Sequence, residues 1–270
     1  MDSIRQAVEL ARASGSARDD LTSSGSVNGP ESNFVGSTKG QLPDVRFDLG
    51  HLEKNRIIAH STSGSLGHYY DMLRTQVLQE MDKKSWQFLA VTSPTAGCGK
   101  SVTACNLALS ISRLAERSVL LVDLDLRKPM VANYLGIKGP GVLSVLEGRA
   151  SLSSTIVKTN VGPHQLYVLP GRTATPGASE WMASQSMGTL LQTIKREFRS
   201  SVVIFDLPPM LLGADVISIL PRMDAALLVA GVGSTTVSDV KECQKHLQRT
   251  PVIRVVVNKV SESAASYGYY

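Results

Sequence analysis

The chain has 270 residues, 43% of them hydrophobic, which is enough for one sizeable α/β core with some chain left over. Its formal net charge of +5 comes from 28 basic and 23 acidic residues that are spread along the sequence. Because dense Lys/Arg runs are missing from the sequence, we predict no nucleic-acid partner. No apolar run approaches the roughly 18 to 20 residues of a membrane-spanning helix. Cys98, Cys105 and Cys243 form no CxxC pair and no metal-ligand spacing, which favours a reduced cytoplasmic setting and buried thiols.

The first part of the chain differs in composition from the rest. Ile4, Val8 and Ala11 have helical spacing, and the stretch from there to residue 40 is rich in Ser, Gly, Asn and Pro. We therefore predict a flexible, disordered leader with a short helix over residues 1–46, a folded domain over 47–260 and a flexible tail over 261–270.

The folded region alternates between helical and β-rich segments. GHYYDMLRTQVLQEMDKK predicts a helix whose packed stripe includes Tyr69, Met72 and Val77. Six short apolar runs then alternate with stretches of helix length: QFLAVTS, SVLLVDLD, QLYVLPG, SVVIFDLPP, AALLVAGVG and VIRVVVNKV. Runs that are apolar throughout are typical of parallel strands with both faces buried. The sequence therefore predicts a single α/β domain with a parallel sheet flanked by helices.

The first apolar run leads directly into SPTAGCGKS, residues 93–101, and a predicted helix follows. Strand, loop and helix in this order are the context of a phosphate-binding loop, although an ordinary strand-to-helix turn is the plain alternative. Lys100 would reach the β and γ phosphates of ATP, and Ser101 would place its hydroxyl on Mg²⁺. Pro94 stands where the general pattern has its first glycine. The loop predicts a P-loop NTPase-type sheet with nucleotide contacts at Thr95, Ala96, Gly97, Cys98, Gly99, Lys100, Ser101 and Val102.

Acidic residues end two further predicted strands. LLVDLDLRKP places Asp123, Asp125 and Arg127 on one face in extended geometry, and VVIFDLPP contains Asp206. Ligands of open parallel sheets lie beyond the carboxyl ends of the strands, so these groups should meet the phosphate-binding loop. Asp206 resembles a Walker B acid, which holds Mg²⁺ directly or through water. Plain solvation of strand ends is the alternative.

Together these segments resemble the bacterial tyrosine kinases. The similarity extends from about Phe47 to the C terminus and is carried by YYDMLRTQVL, the three Walker-like segments, VLEGRA, LYVLPGR, VVVNKV and the terminal tyrosines. It is greatest to the separately encoded kinases of capsule and exopolysaccharide biosynthesis. The resemblance implies ATP-dependent autophosphorylation of the tail and regulation of polysaccharide polymerisation and export. The phosphate acceptors would be Tyr267, Tyr269 and Tyr270.

The resemblance also implies partners and a location. A membrane polysaccharide co-polymerase, or chain-length regulator, would activate the kinase, and a tyrosine phosphatase would reverse its reaction. The chain would form a homo-oligomer and would be cytoplasmic, recruited to the inner face of the membrane through its partner.

The family's chemical roles fall on matching positions of this sequence. Lys100 would act in catalysis together with Asp123 and Asp125, one of which accepts the proton of the attacking tyrosine. The magnesium ligands would be Ser101, Asp123 and Asp206. Which aspartate is the base stays open.

Other positions match the family less closely. Asn258 resembles the adenine-binding position, although an asparagine at a strand end is more often a turn residue. Arg127 would pair with an acid or with a neighbouring subunit. The family's E-x-x-R-x-x-R assembly motif reads His68, Asp71 and Arg74 here, which puts a ring held by that motif in doubt.

Two other functions are compatible with the same fold. Partition or division-type ATPase switches carry an additional lysine near the start of the loop, where this chain has Thr95, and have no reason to end in clustered tyrosines. A catalytically silent scaffold of the polysaccharide machinery would retain the acids without the activity.

Overall fold

A computed structural model of the protein describes residues 42–61, 66–161, 164–248 and 250–260. Residues 1–41 of the predicted leader, with its short helix, and the tyrosine-rich tail lie outside these residues. Among the described residues, no helix is both long enough and apolar enough to cross a membrane.

The centre of the described domain is an eight-stranded sheet. Its strands in chain order are β1 (Asp44–Val45), β2 (Phe88–Thr92), β3 (Ser118–Asp123), β4 (Val157–Val161), β5 (His164–Leu169), β6 (Ser201–Asp206), β7 (Ala225–Gly231) and β8 (Val252–Asn258). In space the order is β1–β4–β5–β3–β6–β2–β7–β8, and all neighbours are parallel except β4 and β5. The sheet is therefore mostly parallel, as predicted.

Helices cover both faces of this sheet. They are α1 (Leu49–Lys54), α2 (Gly67–Lys84), α3 (Lys100–Ser112), α4 (Val131–Leu135), α5 (Val142–Leu146), α6 (Leu152–Thr155), α7 (Ala178–Ala183), α8 (Gln185–Glu197), α9 (Asp215–Ile219) and α10 (Val237–His246). Short 3₁₀ turns lie at Met210–Leu212 and Leu220–Arg222.

Two hydrophobic clusters form the core, one on each face of the sheet. On one face, side chains of α2 and α3 such as Val77 and Leu107 pack against Leu121 of β3. On the other face, Ile194 of α8 packs in a cluster with Phe205 of β6. Because both faces are covered, every residue of β2 and β6 is buried. Burial on both faces explains why the interior strands are apolar throughout, whereas β8 at the edge of the sheet is largely exposed. All six predicted strands are confirmed.

The structure also differs from the sequence-based expectations. Strands β1 and β4 were not predicted, because β1 has two residues and β4 alternates apolar with polar residues. Since β1 pairs with β4, the folded domain begins a few residues before the predicted boundary at 47. Helix α2 is confirmed, but Tyr69 and Met72 of its predicted stripe are 59% and 48% exposed. Val77 and Met81 of the predicted stripe are buried, together with Leu78, which was not predicted.

The parallel strands bring four segments to one edge of the sheet. The loop 93–101 follows β2, the turn 124–130 follows β3, the segment 207–214 follows β6, and Asn258 ends β8. Asp123 and Asp206 are register partners at the ends of adjacent strands. The sheet therefore gathers the predicted site residues at its carboxyl edge.

Candidate active site

The loop 93–101 adopts the backbone conformation that phosphate binding requires. Gly97 and Gly99 have φ angles of 78° and 94°, in the left-handed region that favours glycine. Gly99 is the N-cap residue of α3, so the loop presents the N-terminal backbone N–H groups of that helix. Asn258 closes over the loop from β8 and donates from Nδ2 to the carbonyl oxygen of Cys98 at 2.9 Å.

A Gly99→Ala substitution is expected to be more damaging than Gly97→Ala. Both replacements place a side chain at positive φ, which costs about 1–2 kcal/mol. An added Cβ at residue 99 would in addition lie 2.1 Å from Asn258 Nδ2, whereas at residue 97 it meets nothing within 4 Å. We expect Gly99→Ala to lower the free energy of unfolding by at least about 1 kcal/mol more than Gly97→Ala. Denaturant unfolding of the two variants measures the difference. Equal losses of unfolding free energy would contradict the close packing of Asn258 against residue 99.

Lys100 is the cation at the centre of the site. Its Nζ lies 2.7 Å from Asp125 Oδ2 and 3.5 Å from Asp206 Oδ1, and it donates to Ser101 Oγ at 3.2 Å. Burial alone would lower the pKa of Lys100, but the charges of Asp206 and Asp125 outweigh burial and raise the pKa above its ordinary value. Lys100 therefore stays charged at neutral pH.

Asp123 lies beneath the site and holds the turn after β3. Its Oδ1 accepts from the Asp125 N–H at 3.1 Å, and its Oδ2 accepts from the N–H groups of Met130 and Val131, each at 3.0 Å. Burial, followed by the charge of Asp206, raises the pKa of Asp123 to about 8. Both of its oxygens are thus committed to backbone groups.

Asp125 is placed differently, although it is only two residues away. Its Oδ1 accepts from the Lys128 N–H at 2.9 Å, while its Oδ2 faces Lys100. Its side chain lines the cavity at the sheet edge, whereas Asp123 does not. Of the two aspartates, Asp125 is the one that a bound substrate can reach.

Asp206 has an oxygen without a hydrogen-bond partner among the described residues. The residue is fully buried, and its Oδ2 is the oxygen concerned. Burial, only partly offset by Lys100, raises the pKa of Asp206 above its ordinary range. Asp123 and Asp206 thus resist ionisation with Lys100 as the nearby cation, and a bound divalent cation would favour their charged forms.

The residues present fit a magnesium ion that is completed by its nucleotide. In the described part of the chain, no three His, Cys, Asp or Glu side chains are arranged to hold a metal by themselves. Mg²⁺ is usually held by one or two carboxylates together with waters and substrate phosphates, so a dedicated protein cage is not needed. Ser101 and Asp206 both lie within 3.5 Å of Lys100 Nζ and could hold such an ion together with the nucleotide.

A cavity of about 210 Å³ lies in front of these residues. The predicted residues that line it are Ala96, Gly97, Gly99, Lys100, Ser101, Val102 and Asp125. The other predicted nucleotide, metal and catalytic residues of the described domain do not line it, namely Thr95, Cys98, Asp123, Asp206 and Asn258. The opposite wall is formed partly by apolar groups, including Tyr134 and Leu212.

Two residues that line the cavity, Lys128 and Asp215, were not predicted from the sequence, whereas Arg127 was expected to pair with an acid or a neighbouring subunit. Arg127 forms an ion pair with Asp215 at the start of α9, and Ser179 also donates to this carboxylate. The hydrogen bonds from Arg127 lower the pKa of Asp215 below its ordinary value. Lys128, next to Arg127, also lines the cavity and is exposed. Lys128 could have been found from the sequence, because it is a basic residue directly after Asp123, Asp125 and Arg127. Nothing in the sequence around Asp215 indicates its role.

Residues at the positions of the assembly motif on α2 form contacts within the domain. Asp71 accepts from Arg113 at 2.8 and 2.6 Å and from Ser110 at 2.5 Å, and it pairs with Arg74 at 3.3 Å. Burial would raise the pKa of Asp71, but the bonds from Ser110 and Arg113 lower it overall. The charge reversal at this position thus ties α2 to α3.

Comparisons with known proteins agree with this geometry. The family model described as the CobQ/CobB/MinD/ParA nucleotide binding domain matches residues 89–267. The tyrosine-protein kinase CpsD of Streptococcus agalactiae serotype Ia is 30% identical over 204 residues, which cover 74% of this chain and 85% of CpsD. The tyrosine-protein kinase YwqD of Bacillus subtilis is 28% identical over 231 residues, 84% of this chain and 95% of YwqD. The chain belongs to this domain family and, within it, to the bacterial tyrosine kinases.

Solved structures place the kinase in the same group. The kinase domain of the Escherichia coli tyrosine kinase ETK has a TM-score of 0.61 at 27% identity, covering 73% of this chain and 78% of that one. The septum site-determining protein MinD of Pyrococcus horikoshii, solved with Mg-ADP, has a TM-score of 0.54 at 21% identity and covers 65% and 72%. The second likeness shows the fold alone. The predicted family, fold class and protein-tyrosine kinase activity are confirmed.

Proposed function

We propose that the kinase transfers the γ-phosphoryl group of ATP to tyrosines of its own C-terminal tail and thereby regulates a polysaccharide polymerisation and export machinery. The observation that carries the proposal is the position of β8. Asn258, the last residue of β8, contacts the phosphate-binding loop, so the described chain ends close to that loop, ten residues before the tyrosine-rich tail is complete. Three of the seven tyrosines of the chain lie in its last four residues: Tyr267, Tyr269 and Tyr270.

The loop and Lys100 would hold the phosphates of ATP. Backbone N–H groups at the start of α3 would donate to phosphate oxygens, and Lys100 would follow the transferring group as charge develops on it. Ser101 and Asp206 would hold Mg²⁺, which would offset the negative charge of the phosphates. Asn258 would position the adenine end of ATP by holding the phosphate-binding loop in place.

Asp125 is the proposed base for the acceptor tyrosine. A tyrosine hydroxyl has a reference pKa near 10 and must lose its proton as it attacks phosphorus. The O–H proton would pass to Asp125 as the new phosphorus–oxygen bond forms and the bond to the ADP leaving group breaks. Asp123 would act as a positioning residue, because it orients the N–H of Asp125 and the turn that follows.

The tail is long enough to reach a catalytic site. From Lys259 to Tyr270 the extended chain spans at most about 36–40 Å. Small residues precede the tyrosines, and Gly268 separates two of them, which would let either hydroxyl be presented. The reach covers the kinase's own cavity or that of a neighbouring subunit.

Replacing all three tail tyrosines by Phe is expected to remove most phosphate incorporation, because the aromatic rings remain while the acceptor hydroxyls are lost. Phosphosite mapping by mass spectrometry after incubation with Mg·ATP measures the result. Tyr69→Phe on the exposed face of α2 is the matched control and should leave incorporation unchanged. Incorporation at the wild-type level in the triple variant, mapping instead to the remaining tyrosines, would refute the proposal. Those tyrosines are Tyr69, Tyr70, Tyr134 and Tyr167.

The proposal includes the partners that the resemblance implies. A membrane polysaccharide co-polymerase would activate the kinase and recruit it to the inner face of the membrane, and a tyrosine phosphatase would reset it. Phosphates on the tail add negative charge, which would loosen contacts within a homo-oligomer and so couple the reaction to the machinery.

A further inference from the structure

One leucine of the catalytic cavity is exposed. Leu212 ends the 3₁₀ turn Met210–Leu212 and lines the cavity. Its side chain is 58% exposed, whereas that of the preceding Leu211 packs against the hydrophobic cluster that includes Phe205. A single exposed leucine elsewhere on a surface would need no explanation. Within the cavity where the reaction takes place, Leu212 offers apolar surface to a substrate.

Two further side chains add apolar surface to the same cavity. Met130 and Tyr134 both line it and are both half-buried. The buried part of Tyr134 packs against the hydrophobic cluster that includes Leu107, which leaves the rest of its ring for contact with a ligand. The cavity thus combines the polar phosphate-binding side with a wall on which an apolar group can be held.

Backbone hydrogen bonds fix Leu212 relative to the phosphate-binding loop. The N–H of Met210 donates to the carbonyl oxygen of Ser93 at 2.8 Å, and the N–H of Leu211 donates to that of Pro94 at 3.1 Å. The turn is therefore held against the first residues of the loop. A group that contacts Leu212 has a defined position relative to the phosphates of ATP.

A side-chain hydrogen bond fixes the same segment relative to Asp125. Arg127, which follows Asp125 in the same turn, donates from Nη2 to Asp215 Oδ1 at 3.0 Å. Asp215 is buried and begins α9, directly after the segment that contains Leu212. The bond thus joins the turn that carries Asp125 to the segment that carries Leu212.

We infer that Leu212, together with Met130 and Tyr134, forms the subsite that binds the aromatic ring of the acceptor tyrosine. A tyrosine side chain is apolar except at its hydroxyl, and its ring contributes a large apolar contact area. With the ring against Leu212, the hydroxyl would face Asp125, which takes its proton as the new phosphorus–oxygen bond forms and the bond to ADP breaks. Serine and threonine have no ring for this subsite, so Leu212 is a specificity-determining residue. The inference rests on the proposed role of Asp125 as the base, but not on which tyrosine is the acceptor.

The position of the wall distinguishes it from the adenine end of the site. Strands β6 and β7 lie on opposite sides of β2, the strand that leads into the phosphate-binding loop. Leu212 follows β6, whereas Asn258 ends β8, beyond β7. The ring subsite and the adenine end proposed at Asn258 therefore lie on opposite sides of the loop.

Equilibrium binding of peptides to the full-length kinase tests the subsite. One set of peptides has the sequence of residues 261–270 with Tyr, Phe or Ser at all three tyrosine positions. A second set, unrelated in sequence, carries one central Tyr, Phe or Ser. In the kinase, Tyr267, Tyr269 and Tyr270 are changed to Ser, so that no ring of its own tail competes. A non-hydrolysable ATP analogue with Mg²⁺ prevents turnover, and fluorescence anisotropy measures the affinity.

We expect the Tyr and Phe peptides to bind within about threefold of each other and the Ser peptides at least about tenfold more weakly, because the ring supplies the contact. Leu212→Ala should reduce this preference for a ring by at least about fivefold, whereas Leu212→Met, with a similar volume, should retain it. The affinity for the nucleotide should change by less than about twofold in both variants.

Ile217→Ala is the matched control. Ile217 is an exposed aliphatic residue on α9 that does not line the cavity, so this variant should keep the full preference for a ring. Since Leu212 and Ile217 are both exposed, all three variants should unfold within about 3 °C of the parent kinase.

Three results would each overturn the inference: no preference for a ring in the parent kinase, an unchanged preference in Leu212→Ala, or a loss of nucleotide affinity as large as the loss of peptide affinity. The last result would place the adenine ring at Leu212. If the unrelated peptides show a preference that depends on Leu212 and the tail peptides do not bind, the subsite is supported and the proposed role of the tail is wrong.

Discussion

Lys100→Met is expected to lower autophosphorylation by at least about 100-fold, because it removes the cation that pairs with the buried carboxylates of Asp125 and Asp206. Methionine fills a similar volume but cannot follow the charge of the transferring phosphoryl group. The variant also leaves Asp125 and Asp206 without their partner, so we expect a lower thermal midpoint in the absence of nucleotide. Phosphotyrosine incorporation with Mg·ATP measures the first effect, and thermal unfolding measures the second.

The matched control for this substitution is Lys245→Met. Lys245 lies on α10, is exposed, and pairs with Glu242 across one helical turn. The same chemical change there should leave the rate unchanged and shift stability by less than about 1 kcal/mol. Undiminished tyrosine phosphorylation in Lys100→Met would contradict the assignment of the loop.

Asp125→Asn is expected to reduce turnover by about 100-fold or more while the fold persists. The amide keeps the shape of the side chain, but it can no longer accept the proton of the attacking tyrosine. Single-turnover measurements with saturating Mg·ATP separate this loss from weaker nucleotide binding. A rate at the wild-type level would place the base elsewhere.

Asp123→Asn is the comparison that separates the two aspartates. Its oxygens accept three backbone N–H groups, and an amide nitrogen cannot replace a carboxylate oxygen at each of them. We expect this variant to lose turnover and also about 1–3 kcal/mol of unfolding free energy, whereas Asp125→Asn loses turnover alone. Equal stability losses in the two variants would contradict the division into base and positioning residue.

The segments that could be predicted from sequence are those in which one physical signal dominates. The apolar runs predicted the central strands, because strands that are buried on both faces consist almost entirely of apolar residues. SPTAGCGKS was recognisable because its position between strand and helix restricts what such a loop can do. Strands β1 and β4, at one end of the sheet, were missed, since a two-residue strand and an alternating one give no such signal.

The site itself could be predicted only in part, because contacts between distant segments determine the rest. Asp123 and Asp125 are equivalent in an extended strand, and the turn toward Met130 makes one a backbone acceptor and the other a cavity residue. Asp215 lies 88 positions from Arg127, and nothing in the local sequence pairs them. The exposure of Tyr69 on α2 likewise depends on which side of the helix meets the sheet.

Phosphorylation of the kinase's own tail can be tested by the intact mass of the full-length protein after incubation with Mg·ATP. We expect a series of masses with up to three added phosphates, one for each of Tyr267, Tyr269 and Tyr270. A tyrosine-specific phosphatase should remove the whole series, and Lys100→Met should show none. An unshifted mass in the wild type, or added phosphates that resist the tyrosine phosphatase, would contradict it.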